Sequence, residues 1–226
     1  MDSGGQFIGS TNQMKKIIFL ILFCAIAGVG LRAQAQNEPK VPVDKNRVLS
    51  KIAESASQVQ TLSCDFIQEK HFSMLKNVLS SKGRLYYKRN DRLRWELSEP
   101  TASGFAVNGK QAKRWDEKSG KTLTFEVHKV PFIKVFTDQV FAWAQADFKW
   151  LQKRYRIEVL NAKPVDLKLS PIFSQEKKYV DHLRIAFARD ASYVRTVEVH
   201  EPDGDFTRIR FINPKINEPL LDSLFN

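Results

Sequence analysis

The chain is expected to be mainly β: an antiparallel sheet of ten or eleven strands that curls into a barrel or partial barrel, with two helices. Three observations predict this. Segment after segment alternates apolar and polar residues with period two. The segments are joined by short turn sequences, which favour neighbouring antiparallel strands. Two stretches carry apolar residues at helical spacing instead.

Taken in order, Asn37 to Val43 is polar, contains two prolines and reads as a lead-in. Asp44 can cap a helix running to about Thr61. Val48, Ile52, Ala56 and Val59 form one narrow apolar stripe on it, with Leu49 beside them, suited to lying across a sheet. Strands follow. Cys64, Phe66 and Gln68 alternate with Asp65, Ile67 and Glu69, and Gly83, Leu85 and Tyr87 share a face opposite Arg84 and Lys88. After the turn Arg89-Asn90-Asp91, Leu93, Trp95 and Leu97 point inward while Arg92, Arg94 and Glu96 point outward, until Pro100 closes the strand. Alternation of this kind gives a sheet one dry face and one wet face.

Phe105-Ala106-Val107 leads into Asn108-Gly109, a dipeptide that favours the positive-φ turn of a tight hairpin, with Trp115 on the return strand. Lys118 to Lys121 turns into a strand on which Leu123, Phe125 and Val127 face one way. The meander is then interrupted by VPFIKVFTDQVFAW, residues 130–143. On a helix Phe132, Phe136, Val140 and Trp143 form a stripe that Ile133 and Val135 widen, and Pro131 suits a first helical turn. This helix has a broad apolar face that must be covered.

The strand rhythm resumes with Phe148 and Trp150, which alternate with Asp147 and Lys149. Tyr155, Ile157 and Val159 come next, then Val165, Leu167 and Leu169 ending at Pro171. Leu183, Ile185 and Phe187, then Val197 and Val199, then Ile209 and Phe211 supply the last strands, and INEPLLDSLF forms the tail.

The chain has 226 residues, 42% hydrophobic and 27% charged, enough to bury a core. Residues 1–35 read as an export signal with an upstream extension over 1–13. Met14-Lys15-Lys16 is a basic start, Ile17 to Leu31 an apolar run, and Ala33-Gln34-Ala35 a small-x-small cleavage site. The mature chain is expected to begin at Gln36, as one domain over 36–226. Cleavage lowers the net charge from +11 to +9 and leaves Cys64 as the only cysteine, so no internal disulfide can form. An exported basic protein can meet anionic headgroups, acidic glycans or an acidic partner; nucleic acid is not an expected partner.

Residues of recognisable chemistry are missing. His71, His128, His182 and His200 show no HxH or HExxH spacing, and neither a GxSxG elbow nor a phosphate-binding P-loop occurs. No metal, cofactor or catalytic residue is expected, although an acid and base that meet only in space would escape this reading. What remains is apolar shape. A curved sheet capped by two apolar helices either packs solid or encloses a cavity for an apolar ligand.

In order and spacing, LSCDFIQEK, GRLYYKRN, RLRWELSEP, the VNGKQAKRWD hairpin, the apolar helical insertion, VDLKLSP and INEPLLDSLF resemble the bacterial lipoprotein carriers of the LolA type. The resemblance covers nearly the whole mature chain. It implies a half-open, incomplete β-barrel with an N-terminal helix and a helical lid. It also implies a monomeric periplasmic chaperone that takes acylated lipoproteins from an inner-membrane transporter to an outer-membrane receptor. The acyl chains would line up against Phe66, Leu85, Tyr87, Leu93, Trp95, Leu97, Phe105, Val107, Trp115, Leu123, Phe125, Trp150, Ile157, Val159, Leu167 and Leu169. The lid would comprise Phe132, Ile133, Phe136, Val140 and Trp143. The family's arginine after the second strand, which contacts the lid in the closed form, matches Arg89; Asn90 follows it where the family often has proline. A sensor of mislocalised lipoproteins, a carrier of another acylated molecule, and a lipid or glycan hydrolase are the competing readings.

Overall fold

The computed structural model describes residues 44–74, 77–89 and 91–226. The leader assigned to 1–35, the lead-in over 37–43, Asn90 and the side chain of Phe132 lie outside the described residues.

Eleven strands form one sheet: β1 (Thr61–His71), β2 (Val78–Lys88), β3 (Arg92–Glu99), β4 (Ser103–Asn108), β5 (Gln111–Asp116), β6 (Lys121–Glu126), β7 (Tyr155–Ala162), β8 (Val165–Pro171), β9 (His182–Phe187), β10 (Val194–His200) and β11 (Phe206–Ile216). Their spatial order is β6-β5-β4-β3-β2-β1-β11-β10-β9-β8-β7. Every pairing is antiparallel, and the one pairing that is not sequential joins β1 to β11. Strands β6 and β7 stay unpaired with each other, so the sheet is an open barrel, as the sequence and its resemblance imply.

The alternation read from the sequence is the alternation of burial. In β1, Cys64, Phe66, Gln68 and Lys70 are buried while Asp65, Ile67 and Glu69 are half-exposed. Gly83 is required by this packing: a Cβ there would lie 2.1 Å from the Glu96 carbonyl oxygen and 2.4 Å from the Phe66 ring. Without that side chain the Phe66 ring can cross β2 and meet Trp95, with ring centroids 4.5 Å apart.

Helix α1 (Lys45–Ser57) starts where the Asp44 carboxylate accepts from the backbone N–H groups of Asn46 and Arg47, at 3.0 and 3.2 Å. It buries Leu49, Ile52 and Ala56. Between β6 and β7 the chain makes a 3-10 turn (Val127–Lys129), helix α2 (Pro131–Ala144) and helix α3 (Phe148–Arg154). The strand expected at Asp147–Trp150 is therefore a helix. Asp147 caps it by accepting from the Trp150 N–H at 3.0 Å, and alternation over so few residues could not separate the two states. A single turn, α4 (Ser174–Lys177), lies between β8 and β9.

The concave side holds two apolar cores. Under α1, Leu49, Ile52 and Ala56 pack with Ile157, Leu167, Leu169, Leu183 and Ile185 of β7–β9. Under α2, Val140 packs with Phe66, Leu85, Tyr87, Leu93, Trp95 and Val107 of β1–β4. Trp143 and Phe211 touch both cores. Among the described residues no helix is long and apolar enough to cross a membrane.

Candidate functional site

Helix α2 lies on the concave face of β1–β5. No side chain caps its N-terminus, so tertiary packing holds it there. Ile133, Val140 and Ala142 are buried. The Phe136 ring stands edge-on to Trp95 and to Phe105, both at 5.5 Å with interplanar angles of 88° and 85°. Phe141 approaches Tyr87 at 6.2 Å. Val135, expected to widen the apolar face, is 53% exposed and lies on the outward side with the Lys134–Asp138 ion pair.

One small gap lies between α2 and the sheet among the described residues. The gap between Val59, Leu62, Leu85, Tyr87, Val140 and Trp143 measures about 40 Å³. That is roughly the room of one water molecule and well below the ~300–1,000 Å³ of a ligand pocket. The sequence left a solid interior and a cavity both open; at this point of the seam α2 packs close to the sheet, and Val140 and Trp143 supply part of the filling.

The α2–sheet interface is less complete in its polar groups. The Tyr155 hydroxyl donates to Gln139 Oε1 at 2.9 Å. Gln139 Nε2, Trp143 Nε1 and the Tyr87 hydroxyl are buried without a hydrogen-bond partner among the described residues. The Gln145 side chain approaches Tyr87 without closing a well-formed bond. Burial pushes the Tyr87 phenol upward and that of Tyr155 to about 12, so both remain protonated at neutral pH. Each buried, unpaired polar group costs about 1–3 kcal/mol, and three of them lie along the same seam.

The residues expected to line the cavity divide into groups. Phe66, Leu85, Tyr87, Leu93, Trp95 and Val107 form the floor beneath α2, with Leu97, Phe105 and Phe125 packed at its margin. Leu123 pairs with Arg114 in the row that continues from Trp95 through Phe105, on the same face, but on edge strand β6 it is 45% exposed. Ile157, Leu167 and Leu169 are buried in the other core beneath α1, with Val159 and Trp150 packed against it. They lie apart from the gap under α2, because the α1 stripe already covers that half of the sheet. Trp115 is on the opposite, convex face. It is in register with Gly104 and Glu96, and the Arg94 guanidinium lies over its ring at 4.4 Å. Val59, Leu62, Phe141 and Phe211 were not anticipated; the β11 alternation of Ile209 and Phe211 was the available signal for the last of them.

The described hydrogen bonds of Arg89 run to the end of α1. Its Nε donates to the Val59 carbonyl at 3.0 Å and its Nη2 to the Ala56 carbonyl at 2.7 Å. Its guanidinium thus caps the C-terminal end of α1, where carbonyls lack helical partners and the helix dipole favours a cation. No hydrogen bond from Arg89 to α2 is present among the described residues. The gap lining includes no carboxylate and no histidine. Among the described residues one carboxylate group has ligand-like spacing, Glu201, Asp203 and Asp205 in the β10–β11 turn. The Lys70 ammonium already sits there, ion-paired with Glu201 and 3.9 Å from Asp205.

Comparisons with known proteins agree with this architecture. Residues 57–226 match the family model described as outer membrane lipoprotein carrier protein LolA. The outer-membrane lipoprotein carrier protein of Pasteurella multocida (strain Pm70) is 25% identical over 180 residues, 78% of this chain and 80% of that protein. An uncharacterized conserved protein from Thermus thermophilus shares the fold with a TM-score of 0.51 at 8% identity, over 80% of this chain and 91% of that one. A chain of the Pseudomonas aeruginosa MucA/MucB complex gives a TM-score of 0.50 at 13% identity, over 81% of this chain but 61% of its own length.

Proposed function

We propose, from the premise that the chain belongs to the LolA family of outer membrane lipoprotein carrier proteins, that it holds the acyl chains of lipoproteins and carries them across the periplasm from the inner to the outer membrane. The family is one of carriers, not enzymes. An inner-membrane transporter is the donor in this reading and an outer-membrane receptor the acceptor.

The observation that carries the proposal is the nature of the α2 seam: apolar enough to close, too poorly satisfied in its polar groups to close irreversibly. An acyl chain in water gains about 0.8 kcal/mol for each CH₂ it buries. To enter it displaces Phe136, Val140 and Trp143 from the floor formed by Tyr87, Leu93 and Trp95. Part of the burial energy is then offset by the lost lid contacts, which moderates affinity and permits release. Opening also returns Gln139, Trp143 and Tyr87 to partners or water, which lowers the cost of the open state.

The test is to purify the protein from the periplasm and identify what accompanies it by mass spectrometry. Triacylated peptides on a chain that begins at Gln36 are expected. Glycolipids in their place would reassign the cargo, and a chain carrying no acylated molecule would refute the proposal.

A further inference from the structure

The convex face of β8–β11 carries a notch of about 300 Å³ that the carrier reading does not use. Across the strands, Asp166, Ala186, Thr196 and Arg210 form one register row, and Arg184, Glu198 and Arg208 the adjacent one. The two small side chains, Ala186 and Thr196, leave a low point in the middle. Arg184, Arg195, Arg208 and Arg210 stand around it.

Arg195 arrives there by a backbone irregularity. Val194 pairs with Phe187 and Thr196 with the next residue, Ala186, so Arg195 is an extra residue in β10. Strict alternation would turn Arg195 to the concave side with Val197 and Val199. The bulge brings it to the notch instead, as bulges commonly re-aim side chains. Arg195 makes no ion pair among the described residues, whereas its three neighbours are held by carboxylates. Arg184 donates twice to Asp166, with Nε at 2.9 Å and Nη2 at 2.5 Å from Oδ2. Arg208 Nε donates to Glu198 at 2.8 Å, and Arg210 Nη2 to Glu69, outside the notch, at 3.1 Å. These bonds fix the guanidinium planes and leave further N–H donors on each. Four cations face two carboxylates within the lining.

We infer that this notch binds a phosphate group, through guanidinium donors fixed on the sheet and completed by Arg195. The phosphate can belong to a membrane-lipid headgroup or to a soluble phosphate ester; the recognition chemistry is the same. The notch lies on the side of the sheet opposite α2, so the inference stands or falls independently of acyl-chain binding.

The test uses the full chain, with Arg195→Gln and Arg210→Gln as variants and Lys118→Gln, in the β5–β6 turn, as a charge-matched control. Binding is measured to inorganic phosphate by calorimetry. Binding to vesicles of equal parts phosphatidylglycerol and phosphatidylcholine is measured by sedimentation. Each arginine variant is expected to weaken binding about tenfold, the loss typical of one hydrogen bond to a charged group. A loss seen with vesicles, alone or together with inorganic phosphate, assigns the lipid headgroup. A loss seen with inorganic phosphate alone assigns a soluble ester. No loss with either probe, or an equal loss in Lys118→Gln, would overturn the inference.

Discussion

Phe136→Ala removes the contact that most directly holds α2 to the floor of the sheet. Among the described residues the ring stands edge-on to Trp95 and to Phe105. Such pairs are worth about 0.5–1.5 kcal/mol each beyond area burial, so together they contribute about 1–3 kcal/mol. Loss of the ring's own burial adds up to about 2 kcal/mol, less than the full value for a phenylalanine because Phe136 is only half-buried. Closure should weaken by about 1–5 kcal/mol, or roughly 5- to 4,000-fold in the opening equilibrium. A ligand that must displace α2 gains that factor until the open form predominates. The expected result is at least about a fivefold fall in Kd for a fluorescent fatty acid in the variant, read by displacement titration, with the sheet retained by circular dichroism. Unchanged or weaker probe binding in a folded variant would refute the argument, because it would mean that α2 and the acyl chain do not compete for the same floor.

Two further predictions concern side chains outside that floor. Arg89→Leu should lower stability by about 2–3 kcal/mol, because it deletes two hydrogen bonds from a cation to the carbonyls closing α1, measured as a shift of the urea midpoint; altered probe affinity at unchanged stability would instead restore the lid contact implied by the family match. His182 should make stability fall in mild acid. Burial pushes its imidazole below 6.5, with stacked His200 and Lys168 adding to the effect against the pull of Asp181. The unfolded chain therefore takes up the proton first: stability is complete above about 6.5, falls as the pH drops toward the depressed folded value, and levels off below it. The melting temperature between about pH 7 and about pH 5 should fall more steeply in the wild type than in His182→Gln; equal slopes would count against the assignment.

The sheet was legible because its rule is local. Leu93-Arg94-Trp95-Glu96 announces a dry and a wet face whatever lies around it, and the strands that alternate this way are present in the structure. Trp115 shows the limit of that rule. Its partners on the convex face, Arg94 and the space left by Gly104, are supplied by other strands, and the sequence of β5 alone does not say which side faces in. The same holds for Ile157, Leu167 and Leu169. Their inward orientation is local information, but assignment to the core under α1 instead of the floor under α2 depends on where two helices come to rest.

The two faces of the sheet illustrate how one pattern serves separate ends. On the concave side alternation is kept through β1–β3, and the floor beneath α2 is continuous and apolar. On β10 it is broken once, at Arg195, where the bulge places on the convex side a cation without an ion pair among the described residues, instead of burying it beside Val197. A basic residue at an inward position would have cost several kcal/mol unpaired, so register alone required either a different residue or a shift of the chain. The shift leaves both faces intact: Val197 and Val199 still reach the core under α1, and the cation joins three others already anchored by carboxylates. Deleting Arg195 should restore regular pairing between β9 and β10 and leave the apolar floor beneath α2 unchanged, while removing the one guanidinium of the notch lining that no carboxylate among the described residues holds.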